Sequence, residues 1–118
     1  MIMKMLDKGA LHISEDVFAI ITSIVINEID GIASTVSDLK DDFIRVVHKK
    51  GNQRGIAVHQ NDNELYIDVK VSVYLGENIL EVCKQLQKQI IAEIKIMTGI
   101  EVTGVNVIVD SVRLKDEN

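Results

Sequence analysis

The chain has 118 residues, 47% apolar and 26% charged, with no Pro and a formal net charge of −5. That composition is globular rather than disordered, and its acidity works against a role that replaces counterions on nucleic acid. No stretch reaches the ~20 apolar residues that a membrane span needs, and the single cysteine, Cys83, excludes an internal disulfide and makes a reducing cytoplasm the default setting.

Met1–Leu6 is apolar around Lys4 and lacks the long apolar run and cleavage site of a signal peptide. Leu11 and Ile13 flank His12 as a short first strand. Ser14 is placed to cap a helix whose first turn carries Glu15 and Asp16, acids that suit the positive N-terminal end of the dipole. Val17, Ile20, Ile21, Ile24 and Val25 form an apolar stripe at helical spacing, and Gly31 is the expected stop. This β-branched run is a poor helix former, so packing must hold it.

Val36, Leu39, Phe43, Ile44 and Val47 suggest a second, shorter helix over Val36–His48, with Asp41 and Asp42 on its solvent side. The run from His48 to Gly55 reads as an exposed loop. Arg45, Lys49, Lys50 and Arg54 make it the one basic cluster of an acidic chain, a candidate contact for anionic lipid or an acidic partner.

Ile56 and Val58 open a strand that turns at Asn61–Asn63. From Leu65 to Leu75 the alternation is strict: Leu65, Ile67, Val69, Val71, Val73 and Leu75 face one way, and Tyr66, Asp68, Lys70, Ser72 and Tyr74 face the other. That is a strand with one buried and one wet face, roughly 35 Å long. Its hairpin partner covers about half of it, so a further strand must pair with the remainder.

Asn78, with Glu81 three residues on, starts a helix that carries Ile79, Val82, Cys83, Leu86, Ile90, Ile94 and Met97 on one face and closes at Gly99. Cys83 is expected in the core. In the last strand Val105, Val107 and Val109 oppose Asn106, Ile108 and Asp110, and a change of parity around Gly104 predicts a bulge or kink there. With the valines on the core, Asn106 and Asp110 belong to the wet face or to an interface. Ile108 between them is an apolar residue framed by hydrogen-bonding groups.

The predicted order is β-α-α-β-β-α-β in one α+β domain over 1–118, with its core at about 9–113. The expected architecture is a single mixed, antiparallel-rich sheet with helices on one face, split βαβ-like. No catalytic, cofactor or metal set can be assembled. The glycines are dispersed, and His12, His48 and His59 lack metal-ligand spacing. Tyr66 and Tyr74 lie about 27 Å apart along their strand, too far to stack adjacent bases.

Three segments, "GALHISEDVFAIITSIVINEIDGIA", "RGIAVHQNDNELYIDVKVSVYLGENILEVCKQLQKQI" and "MTGIEVTGVNVIVDSV", together resemble the alkaline shock protein family of the Gram-positive envelope stress response. They cover most of the chain from Gly9 to Val112, in order. The specific features are the Gly-x-x-x-Ile-Ser opening, the "DGIA" after the first helix, the long strand ending in Tyr-x-Gly, and the "MTG" and "VNV" signatures. The chain departs from the family between Ser34 and Val47, where many relatives are Gly-rich. The resemblance implies a non-enzymatic cytoplasmic protein of cell-envelope homeostasis, without cofactor or small-molecule substrate. It would act by self-association and through a membrane-anchored partner. The alternative is a regulatory module linked to lipid metabolism or binding nucleic acid. Candidate interaction residues are Lys49, Lys50, Arg54, Asn106, Ile108 and Asp110.

Overall fold

The computed structural model describes residues 1–33 and 55–115. The helix expected over Val36–His48, the Asp41–Asp42 pair, and Arg45, Lys49, Lys50 and Arg54 lie outside the described residues.

Strands β1 (Ile2–Leu6) and β2 (Gly9–Ile13) form an antiparallel hairpin with Ile2 opposite Ile13 and Leu6 opposite Gly9. The expected first strand is thus the second arm of a hairpin. Only Ile2 of β1 is buried, so the arm carries no apolar alternation that a sequence could display.

Helix α1 (Glu15–Glu28) follows directly. Ser14 is its N-cap, and the Ser14 side-chain oxygen accepts from the Asp16 amide at 3.1 Å. The face turned to the core is not centred on the expected stripe. Phe18, Ile21, Val25 and, just past the helix, Ile29 are buried, while Val17 is exposed and Ile20 and Ile24 are half-buried. α1 is apolar on more than one face, and the core takes the face with the large ring.

Strand β3 (Ile32–Ala33) comes next, then β4 (Ile56–Asn61) and β5 (Glu64–Tyr74). β4 and β5 form a hairpin across Asp62, whose φ of 58° suits the tight turn. β4 covers one half of β5, and β3 pairs with the other half through Ile32–Val73 and Ala33–Ser72. This is the further strand that the length of β5 demanded. Along β5, Leu65, Ile67, Val69, Val71 and Val73 are all buried, as the alternation predicts, whereas Leu75, one residue past the strand, is exposed.

Helix α2 (Ile79–Thr98) carries the chain back to a last strand, β6 (Gly104–Arg113), which runs parallel to β5. A parallel pair needs such a crossover. The Asn78 side chain caps α2 by accepting from the Glu81 amide, and Gly99 ends it with φ 76°. Val82, Leu86, Ile90 and Ile94 are buried, whereas Ile79 and Met97, at the ends of the predicted stripe, are exposed. Cys83 is half-buried rather than in the core, because it sits at the edge of that face.

Of the bulge or kink expected at Gly104, the ladder shows no bulge there. Gly104 opens β6 directly opposite Tyr66, and a Cβ there would come within 3.1 Å of the tyrosine ring. The glycine makes room for that ring. The register shift falls instead after the Val71–Val109 pair, where Ser72 pairs with Ser111 and Asp110 is the extra residue.

The fold is α+β, with a mixed four-stranded sheet in which β5 is flanked by β3 and β4 on one side and β6 on the other. The expectation of a single sheet is corrected: β1 and β2 pair only with each other and form a second, two-stranded sheet. One apolar cluster joins Ile2, α1, α2 and the inner face of the larger sheet.

Candidate interaction surface

Both helices contribute their apolar residues to the same face of the four-stranded sheet as Leu65, Ile67, Val69 and Val105. The opposite face carries the even-numbered side chains of β5 and their neighbours. The hairpin register sets Ala57 opposite Asp68, which makes His59 the diagonal neighbour of Asp68 on that face. On the other side Asn106 lies directly opposite Asp68. The three side chains meet: Asn106 Nδ2 donates to Asp68 Oδ1 at 2.8 Å, and His59 Nε2 lies 2.5 Å from Asp68 Oδ2. The Asn106 hydrogen bond, followed by that of His59, holds the Asp68 carboxyl below its ordinary 3.8.

Other polar pairs continue along the sheet. The Tyr66 hydroxyl donates to Glu64 Oε1 at 3.1 Å, which raises the phenol above its ordinary 10.0. Ser72 and Ser111 share a hydrogen bond across the bulge, and Lys115 Nζ sits 5.4 Å from the centre of the Tyr74 ring. Both tyrosines are therefore engaged with neighbours.

Ile108 stands out on this face. It is 50% exposed and lies opposite Lys70, one step along from Asn106 and two residues before the bulged Asp110. Among the described residues β6 pairs with no strand other than β5, and on its outer edge the Val105 carbonyl accepts from the Gln87 side chain of α2 at 2.9 Å. Asn106, Ile108 and Asp110 thus share one strand at the rim of an open face. Lys49, Lys50 and Arg54 cannot be placed beside them, as they lie outside the described residues.

The linked side chains of His59, Asp68 and Asn106 were missed in the sequence. The hairpin turn at Asp62–Asn63 carries the signal, since it fixes the His59–Asp68 diagonal. Asn106 could not be added in the same way, because a parallel register is set by a helical crossover and not by a tight turn. Among the described residues no group of three or more His, Cys, Asp or Glu is placed to hold a metal ion. No described helix is long and apolar enough to cross a membrane.

The fold and this surface define a small α+β domain with one packed and one open, polar-bonded sheet face. The chain belongs to the alkaline shock protein family, described as having a cell envelope-related function; the family profile matches residues 3–114. Among its relatives, an uncharacterized protein of Streptococcus pyogenes serotype M6, Spy1614, is 28% identical over 112 residues, covering 93% of each chain. The uncharacterized protein YloU of Bacillus subtilis is 28% identical over 108 residues, covering 90% of each. YqhY, also uncharacterized and from Bacillus subtilis, is 25% identical over 99 residues, covering 84% of this chain and 73% of its own. No solved structure gives a significant match.

Proposed function

We propose that the protein serves the cell envelope as a non-catalytic interaction module that self-associates through the outer edge and open face of β6. It works in the cytoplasm and reaches the membrane through an anchored partner. The observation that carries this reading is Ile108, an exposed aliphatic side chain on an edge strand between Asn106 and Asp110. A strand edge offers main-chain donors and acceptors to a second strand, and an apolar residue at its rim supplies the area such a contact excludes from water. The bulge at Asp110 interrupts straight pairing, so the contact draws mainly on Gly104–Val109.

Ile108→Glu is the discriminating variant. Its carboxylate would lie beside Lys70, a favourable cross-strand pair, so the fold should be kept while a charge enters the contact. Sedimentation velocity across a wide concentration range should show the wild type assembling and the variant remaining monomeric, with envelope localisation lost in parallel. A monomeric wild type, or a variant that assembles normally, sinks this assignment.

A further inference from the structure

The apolar stripe of α1 is wider than its core face, and the surplus lines a groove. The start of α2 lies against the end of α1, since a Cβ on Gly31 would meet Glu77 and Val82 at about 3 Å, so the two helices run antiparallel. Between them opens a groove of about 450 Å³. Val17, Ile20, Ile24 and Glu28 form its α1 wall, and Glu93 and Met97 form the α2 wall. These α1 positions recur at helical spacing, so they make one continuous ridge. The ridge from Val17 to Glu28 is about 16 Å long at 1.5 Å per residue, or roughly three helical turns.

The groove is apolar inside and acidic at its rim. Val17 is 38% exposed and Met97 66%, and Ile96, next along α2, is 76% exposed. Ile20 also packs against the edge of the core, and the buried Ile21 and Val25 line the groove beside it, so the solvent-facing apolar surface comes chiefly from Val17 and Met97. Among the described residues no cation lines the groove, and neither Glu28 nor Glu93 has an ion-pair partner.

We propose that this groove is a docking site for an amphipathic, basic helix of a partner protein. Such a helix would set aliphatic side chains at i, i+3, i+4 and i+7 against Val17, Ile20, Ile24 and Met97, and bring Lys or Arg to Glu28 and Glu93. Charge selects this occupant over two others. A second copy meeting the groove face to face would bring like carboxylates together across a twofold axis. An anionic membrane surface would repel the same rim. The site is separate from β6, so it stands or falls independently of the Ile108 contact.

The test uses the full chain and a short fluorescein-labelled leucine–lysine peptide with its leucines at i, i+3, i+4 and i+7. A scrambled peptide of identical composition is the control for simple charge attraction. Fluorescence anisotropy should show saturable binding of the patterned peptide at one per chain, and at least about tenfold weaker binding of the scrambled one. Ile20→Gln with Ile24→Gln should weaken the patterned peptide by about tenfold or more. Glu28→Lys, at an exposed position, with Glu93→Lys, at a half-buried one, should weaken it several-fold and flatten its salt dependence, with circular dichroism checking that the fold is kept. Ile108→Glu should leave it unchanged. Equal binding of the two peptides, or wild-type affinity in both groove variants, overturns the proposal. A wild-type dimer that Ile24→Gln dissociates would reassign the groove to a second copy. Phosphatidylglycerol vesicles that bind the wild type and not the groove variants would reassign it to lipid. Either result also overturns the proposal.

Discussion

The side-chain amide of Asn106 on β6 donates to the carboxylate of Asp68 on β5, directly across the parallel ladder, with Nδ2 2.8 Å from Oδ1. This bond joins two strands that are separated in sequence by the whole of α2, and it is the main reason the Asp68 carboxyl titrates below 3.8. An acid whose pKa is lowered by folding adds stability that is present above its unfolded value. That stability is lost as the pH falls through the lowered, folded value. Asn106→Ala should therefore raise the Asp68 pKa toward 3.8, part of the lowering remaining through His59. Urea melts should show the variant less stable than wild type near neutral pH, with the acid-dependent part of the difference vanishing below both pKa values. An Asp68 carboxyl resonance that titrates identically in the two proteins would refute the assignment. Because the group is largely solvated, the effect on stability is expected to be small.

Much of the framework was legible because burial and secondary-structure period coincide. In β5 every second residue from Leu65 to Val73 is buried, so these could be assigned to a face from the pattern alone, whereas Ser72, expected on the wet face, is buried as well. Ser14, Asn78 and Gly99 act as caps because each has the side chain or the backbone freedom that a helix end requires. Where period and burial part company the reading went astray. β1 buries Ile2 only, so its pairing with β2 left no pattern. In α1 nearly every face is apolar, and the pattern could not show that Phe18 rather than Val17 points inward. The bulge belongs to Asp110 and not Gly104, because it answers to the register against β5, which the sequence of β6 alone does not contain. The open-face link of His59, Asp68 and Asn106 was hidden for the same reason.

Cys83 offers a second check on how closely α2 packs. Its thiol is half-buried, and burial raises its pKa above the ordinary 9.0. Both effects reduce the thiolate available to an electrophile. The native protein should react with a bulky maleimide several-fold more slowly than the urea-unfolded chain, yet reach full labelling without unfolding. Cys83→Ser should be tolerated with a loss of about 1 kcal/mol or less, since the hydroxyl at a half-buried site retains access to water. Labelling as fast as the unfolded chain would put the thiol on the surface, and complete protection would put it in the core.

Thr22 carries the clearest local conflict in the core. It sits on α1 between Ile21 and Ser23 and is wholly buried, yet its hydroxyl oxygen finds no hydrogen-bond partner among the described residues. The neighbouring Ser23 hydroxyl, equally buried, does find one, donating to the Ile20 carbonyl at 2.7 Å. A buried polar group left unpaired costs about 1–3 kcal/mol relative to one that is satisfied. Valine has nearly the shape of threonine and replaces the hydroxyl with a methyl group, and its helix propensity is similar. Thr22→Val should thus keep the packing against Phe18, Val25 and their neighbours while removing the desolvation cost. The expected gain is about 1 kcal/mol, read as a higher urea midpoint at unchanged slope. Ser23→Ala is the natural companion: it deletes a satisfied hydroxyl and leaves a small gap, so it should be neutral or mildly destabilising. If Thr22→Val lowers the midpoint instead, the hydroxyl must be paired in the folded protein, and the conflict at this position does not exist.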